Sequence, residues 1–178
     1  MSFESISKET SSPVVLPIST ARLQLVAVTP ECVLSEGACD GRLGDLLGCR
    51  VTPEWPPTDW EPHVLVWLLK RFAEDPKSIC WCRYIVLRED GVAPVLIGTL
   101  GAVPEFGYGV LPEFQRRGYA TEAALAMITW VKETGEVDEL VAHTYPELTA
   151  SVRILERCGF VLEGQGVEER TVRYRLWL

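Results

Sequence analysis

Apolar and polar residues alternate through "RLQLVAV" (22–28), the pattern of a strand with one buried face, and Thr29-Pro30 ends it. Threonine before proline suits a helix start, so "ECVLSEGAC" is expected to be helical with Thr29 as its cap. The next stretch, "CDGRLGDLLG" and then "VTPEWPPTDWEP", is too rich in glycine and proline for regular structure and predicts a loop holding Trp55 and Trp60. From Glu61 the spacing becomes helical: Val64, Trp67, Leu68, Arg71 and Phe72 recur on one side, and Asp75-Pro76 ends the segment. Strands follow at 81–88, 94–100 and 105–110, joined by Glu89-Asp90-Gly91 and by the short "GAVP". "YATEAALAMITWVKET" predicts a helix stopping near Gly135, and "ELVAHTY" (139–145) a strand. "LTASVRILERCGF" reads as a short helix capped by Thr149 and stopped by Gly159, and "FVLEGQG" with "RTVRYRLWL" as a closing β-hairpin.

That order defines an α+β domain with a mixed, mostly antiparallel sheet flanked by helices. Only the link from 105–110 through the helix to 139–145 resembles a parallel crossover. Residues 20–178 are expected to form one domain behind a flexible polar leader, 1–19. A ligand site is expected where those two strands meet the N-terminus of the crossover helix.

Composition narrows the partners. The 178 residues are 47% apolar and 24% charged, a globular profile, with a formal net charge of -8. Such a field disfavours duplex nucleic acid and anionic membranes, which reward basic proteins, and suits a cationic acceptor such as an amine. No apolar run reaches bilayer length, and "MSFESISKETSSPVV" lacks the basic-then-apolar order of a signal peptide. Of six cysteines only Cys80 and Cys82 lie close, as "CWC", which fits neither a zinc knuckle nor a redox pair. With two histidines, no metal site is expected, and the cysteines read as reduced residues of a cytoplasmic protein.

Candidate chemistry gathers between 105 and 123. In "EFGYGV", alternation sends Phe106, Tyr108 and Val110 to one face and Glu105, Gly107 and Gly109 to the other, leaving one face nearly bare with a single carboxylate. Pro112 stops the strand, and Gln115-Arg116-Arg117-Gly118-Tyr119-Ala120 turns into the helix. The unpaired N–H groups and partial positive charge of a helix start attract an anion, by roughly 0.3–1 kcal/mol. Ala120, Ala124, Met127, Ile128 and Val131 make a narrow apolar stripe that lets this helix dock tightly.

"GYGVLPEFQRRGYATEA" followed by "ASVRILERCGF" resembles the GNAT superfamily of N-acetyltransferases, in the branch that acetylates ribosomal-protein N-termini and its small-molecule relatives. The family's motif, Gln/Arg-x-x-Gly-x-Gly/Ala, stands here as Gln115 to Ala120. The resemblance implies a GNAT-like fold splayed at one parallel strand pair, acetyl-CoA as cosubstrate and no metal. The diphosphate would lie on backbone N–H groups from Arg116 to Ala120, among Gln115, Arg117, Gly118, Tyr119 and Thr121. Pantetheine would pair with backbone around Val110 and Leu111, and an amide near Gly109–Val110 would face the acetyl oxygen. The acceptor would be a primary amine, on a small molecule or a peptide N-terminus, and the enzyme a monomer or homodimer.

For proton transfer, Glu105 is the expected base, being the one carboxylate on the bare strand face. Many relatives carry a tyrosine acid in the C-terminal helix, where this chain has Leu155, and the branch's asparagine position is Leu148. Ser151 matches the branch's serine and is the expected acid or thiol-orienting group, with Tyr145 as an alternative donor. Leu148 and Leu155 also motivate a second reading, a CoA-binding sensor or interaction module with little turnover. Trp55 and Trp60, in a candidate lid "EWPPTDWEPH", and Trp81 could meet the acceptor. His143 reads as a core or surface histidine.

Overall fold

A computed structural model describes residues 15–57, 60 and 62–178. The first fourteen residues of the expected leader, and Thr58, Asp59 and Glu61 of the expected lid, lie outside the described residues. The domain begins earlier than expected. Ile18–Ser19 (β1) pairs antiparallel with Leu23–Ala27 (β2) rather than belonging to a leader. Then come the helices Pro30–Ala38 (α1), Leu43–Leu47 (α2) and Pro62–Glu74 (α3), a 3₁₀ turn at Pro76–Trp81, and strands Cys82–Leu87 (β3) and Val95–Gly101 (β4). Gly107–Val110 (β5), a 3₁₀ turn at Pro112–Phe114, Tyr119–Thr134 (α4) and Glu139–Thr144 (β6) follow. Thr149–Arg157 (α5), Val161–Gln165 (β7) and Val172–Trp177 (β8) complete the chain.

Local chemistry explains most boundaries. The Thr29 side chain accepts from the Cys32 N–H and Pro30 opens α1, as the sequence suggests. α2 was hidden by its glycines; burial of Leu43 and Leu47 holds that short helix in place. Thr149 does not cap α5: it is the first helical residue, and Leu148 occupies the cap without a side-chain bond.

Two sheets result, ordered β1-β2-β3-β4-β5 and β6-β8-β7. β3 is buried on both faces. Ile85 and Leu87 pack towards α4, whereas Tyr84 and Val86 pack towards α1 and α3. β5 sits very close to β4, and Gly98 permits it: a Cβ there would collide with the Gly109 carbonyl. Behind β5, Ala124, Met127, Ile128 and Val131 of the expected stripe are buried and dock α4 together with Ala123, while Ala120 is only partly buried.

The proline-rich loop is tied down by Glu36 of α1. Its carboxylate accepts from Trp55 Nε1 at 2.7 Å and from Tyr84 Oη at 2.7 Å, and the Trp55 and Tyr84 rings pack 5.9 Å apart. Burial raises the Glu36 pKa, while the bonds from Tyr84 and Trp55 oppose that rise. Glu36→Ala would strand two buried donors. We expect a loss of about 2–3 kcal/mol in urea unfolding, with Glu36→Gln, which keeps one acceptor, losing less.

Candidate active site

β5 and β6 touch once and then separate. The Phe106 N–H donates to Val141 O at 2.7 Å, yet no ladder joins the two strands. Main-chain groups alternate sides along a strand, so those of Tyr108 and Val110 turn the way Phe106 does, into the gap. The Leu111 N–H faces the other way and donates to Ile97 O at 2.8 Å. That amide is therefore spent inside the sheet, so of the backbone around Val110 and Leu111 expected to pair with pantetheine, the Leu111 N–H is already used. Gln115 reaches back with its Nε2 to Val110 O at 2.8 Å, so its side chain shapes the gap's edge.

The turn into α4 has the form expected of an anion cradle. Arg116 and Gly118 both take left-handed backbone, at φ 62 and 83, and the first helical bond runs from the Glu122 N–H to Gly118 O. The N–H groups of Tyr119, Ala120 and Thr121 precede that bond and have no helical partner. The Arg116 and Arg117 side chains are exposed beside them, whereas that of Tyr119 is buried, with its hydroxyl on Glu89 at 2.9 Å. Tyr119 thus offers backbone alone.

Arg22, at the start of β2, is a supporting residue that local sequence spacing does not reveal. It pairs with Glu122 at 2.6 Å, donates to Arg117 O at 3.1 Å, and lies 4.5 Å over the Tyr119 ring. The Glu122 carboxylate also accepts from Thr20.

Two cavities flank β5. One, about 420 Å³, lies in the gap and is bounded by Tyr108, His143, Tyr145, Leu148, Ser151 and Leu155. The other, about 760 Å³, lies on the α3 side and includes Trp60, Trp67, Arg71, Trp81, Gly107 and Gly109. Glu105, Gly107, Tyr108 and Glu168 border both. A group held in one cavity can therefore meet a group held in the other at Glu105 and Tyr108.

Glu105 stands in the bend just before β5, and one of its oxygens is fixed. Oε1 accepts from the His143 N–H at 3.2 Å and lies 2.8 Å from His143 Nδ1, which must then carry a proton. The carboxylate is 52% exposed and the imidazole 17%, so the pair presents an acid to the cavities with its orientation set from β6. His143 is accordingly a partner of the site rather than a packing residue.

Tyr108 belongs to the bulky strand face, as alternation requires, and its ring lies 6.1 Å from that of Phe106. Its hydroxyl crosses the gap and donates to Ser151 O at 3.1 Å, with Ser151 Oγ at 3.4 Å. Burial pushes the phenol up to about 12, with the Ser151 bond opposing, so it keeps its proton at neutral pH. Tyr145 borders the gap at 39% exposure, Leu148 is exposed, and Leu155 is buried in the gap's floor. Trp60 reaches the larger cavity, but Trp55 borders neither. Its indole is committed to Glu36 and Tyr84, which corrects its assignment to an acceptor. No helix among the described residues is long and apolar enough to cross a membrane.

An α+β domain that opens between two strands, with a helix N-terminus beside the opening, defines an acetyltransferase architecture. The sequence profile of the acetyltransferase (GNAT) domain matches residues 49–161, and the chain belongs to that family. It is 23% identical over 167 residues to the uncharacterized N-acetyltransferase YjdG of Bacillus subtilis, a span of 90% of this chain and 96% of that one. Among solved structures it resembles an acetyltransferase of Agrobacterium tumefaciens, with TM-score 0.64 and 22% identity over 93% of this chain and 96% of that one. It also resembles the ribosomal L7/L12 alpha-N-protein acetyltransferase RimL, solved in complex with coenzyme A. That likeness has TM-score 0.60 and 16% identity over 91% of this chain and 98% of the other.

The Arg22–Glu122 clasp has a signed pH dependence. Burial raises the Glu122 pKa, but the bonds from Thr20 and Arg22 outweigh it and hold the carboxyl below its ordinary value. A depressed carboxyl contributes stability above its unfolded pKa, about 4.3, and loses it as pH falls through the folded value. Glu122→Gln should therefore cost about 1 kcal/mol at pH 7, allowing for the pair's partial exposure, and much less near pH 3.5, read by urea unfolding at both.

Proposed function

We propose that the chain moves an acetyl group from acetyl-CoA directly to a primary amine, on a small molecule or a peptide N-terminus, as a cytoplasmic enzyme. The observation that carries this is the open gap between β5 and β6, with main-chain groups of Tyr108 and the Val110 N–H left without a strand partner along it and free α4 amides beside it. These groups fit the donor: Tyr119, Ala120 and Thr121 amides with Arg116 and Arg117 suit a diphosphate, and the strand edge suits the amides of pantetheine. Acetyl-CoA would supply the acetyl group as an activated thioester. Gln115 would hold the edge of the gap through Val110, and the Val110 N–H would face the developing oxyanion. The six cysteines are free, in keeping with a reducing compartment.

Glu105 is the proposed proton acceptor for the ammonium group. His143 occupies Oε1, which leaves Oε2 for the amine in the larger cavity. For the departing thiolate, Tyr108 joins Ser151 and Tyr145 as a donor. The gap's floor carries Leu155, which has no proton to give, whereas Tyr108 brings a protonated phenol into the same space from the opposite side. That phenol favours turnover over a purely CoA-binding module. The names of relatives such as RimL support a protein N-terminus as one form of acceptor.

Two measurements test this reading. Gly118→Leu forces a side chain onto left-handed backbone at φ 83 and places a Cβ 3.5 Å from Arg22 Nη2. It should weaken acetyl-CoA binding at least about tenfold by calorimetry, while unchanged affinity would contradict the diphosphate assignment. Glu105→Gln should lower kcat about a hundredfold with acetyl-CoA affinity intact, and a variant as fast as the wild type would remove Glu105 from the chemistry.

A further inference from the structure

The 760 Å³ cavity on the α3 side is the size of a small-molecule site, and its charges are segregated. At the β5 end, where transfer would occur, it carries Glu105 and Glu168. On the α3 wall it carries Arg71 between apolar surfaces of Trp67, Leu68 and Phe72, with Trp60 nearby across the loop. Arg71 lies 5.5 Å over the Trp67 ring, a cation–π contact on the cavity wall. Its Nε is buried without a hydrogen-bond partner, and no carboxylate among the described residues pairs with it. Arg71 itself lines the cavity and has no carboxylate partner in this wall of tryptophan and leucine, so a ligand anion meeting the exposed part of the guanidinium would offset the cost of keeping the charge there. Carboxylate is the group that matches the fork of a guanidinium.

Resting on the acetyltransferase reading above, we propose that the acceptor is a small zwitterion: an aminocarboxylate with a large apolar or aromatic body. Glu105 and Glu168 draw the ammonium end towards the strand. Trp60, Trp67 and Phe72 take up the body, and Arg71 binds the carboxylate. The ammonium gives one proton to Glu105, and the amine so formed attacks the thioester carbonyl; the C–S bond breaks as the amide bond forms, and the nitrogen's second proton ends on the departing thiolate, leaving the amide and CoA thiol. The carboxylate at Arg71 is unchanged. A protein N-terminus, whose chain continues where the carboxylate would be, leaves Arg71 unsatisfied and is disfavoured.

Matched pairs decide it: L-tryptophan against its carboxamide, and the dipeptide Ser-Trp against Ser-Trp-amide, each assayed for acetylation with the intact protein. Binding of each compound is also measured by calorimetry in the presence of CoA. At least one acid should exceed its amide by about tenfold or more in kcat/KM or in affinity. Arg71→Met should erase that preference, the acid-to-amide ratio falling to about one, with acetyl-CoA affinity unchanged. Equal handling of acids and amides, an unchanged preference in Arg71→Met, or no binding by any of the four while acetyl-CoA binds normally would each overturn the proposal. Failure of acetyl-CoA itself to bind would instead overturn the underlying acetyltransferase reading.

Discussion

A single hydrogen bond, Phe106 N–H to Val141 O, decides the architecture around the candidate site. It closes the base of the gap between the two sheets, and beyond it β5 and β6 stay apart. The ring of Phe106 packs 5.2 Å from that of Phe160 and 6.1 Å from that of Tyr108, so bulky aromatic volume sits where the strands diverge. Past that point, the side chains facing across the gap make the contacts that a ladder would otherwise make. Tyr108 reaches Ser151 on α5, Gln115 satisfies Val110 O, and Glu105 grips His143 on β6. A strand edge left bare in this way is ordinarily a liability for pairing with other chains. Here it lies inside a cleft between helices, where a ligand with amides of its own can satisfy it.

Charge is arranged with the same economy. The chain is acidic overall, yet Arg116 and Arg117 gather at the start of α4 beside the gap, and Arg22 is neutralised by Glu122 before it can compete for an anion. What Arg22 does instead is mechanical: its bond to Arg117 O and its seat over Tyr119 hold the turn that Arg116 and Gly118 make with left-handed backbone. Glu105 and Glu168 border both cavities, and Glu105 stands ahead of β5 where the two arginines follow it. Anion-binding and cation-binding regions are thus separated along the length of one strand.

Features written in local backbone chemistry were legible from the chain. The cradle at 115–120 depends on Gly118, on small Ala120 and on a helix whose apolar stripe recurs at fixed spacing, and all three are visible within twenty or so residues of text. The succession of strands along the chain from β2 onwards was legible for the same reason. Features that depend on distant partners were not. Glu105 and His143 are separated by 38 positions, and nothing in either segment announces the other. Trp55 carried the look of an acceptor contact, but its indole is consumed by Glu36, 19 positions away. Tyr108 was placed on the correct strand face, yet alternation says which way a side chain leaves the backbone and not how far its hydroxyl travels. α2 escaped because glycine lowers helix propensity while tertiary burial of Leu43 and Leu47 overrides it.

In the proposed mechanism Tyr108 would take over the donor role for which the resemblance implies a tyrosine at the position of Leu155. A proton donor must reach the cavity in the gap and must remain protonated; neither demand specifies the element it comes from. Leu155 meets neither demand and serves as buried floor, continuous with the core formed by Phe106 and Phe160. Tyr108 meets both from the other side: burial keeps its phenol protonated, and Ser151 fixes where the oxygen sits. Because the same burial that stabilises the strand pair also raises the phenol's pKa, packing and acidity are set together. Opening the gap wider to solvent would lower the phenol's pKa and loosen its hold on α5 in one step, so the width of the gap is constrained by proton chemistry as well as by the ligand it admits.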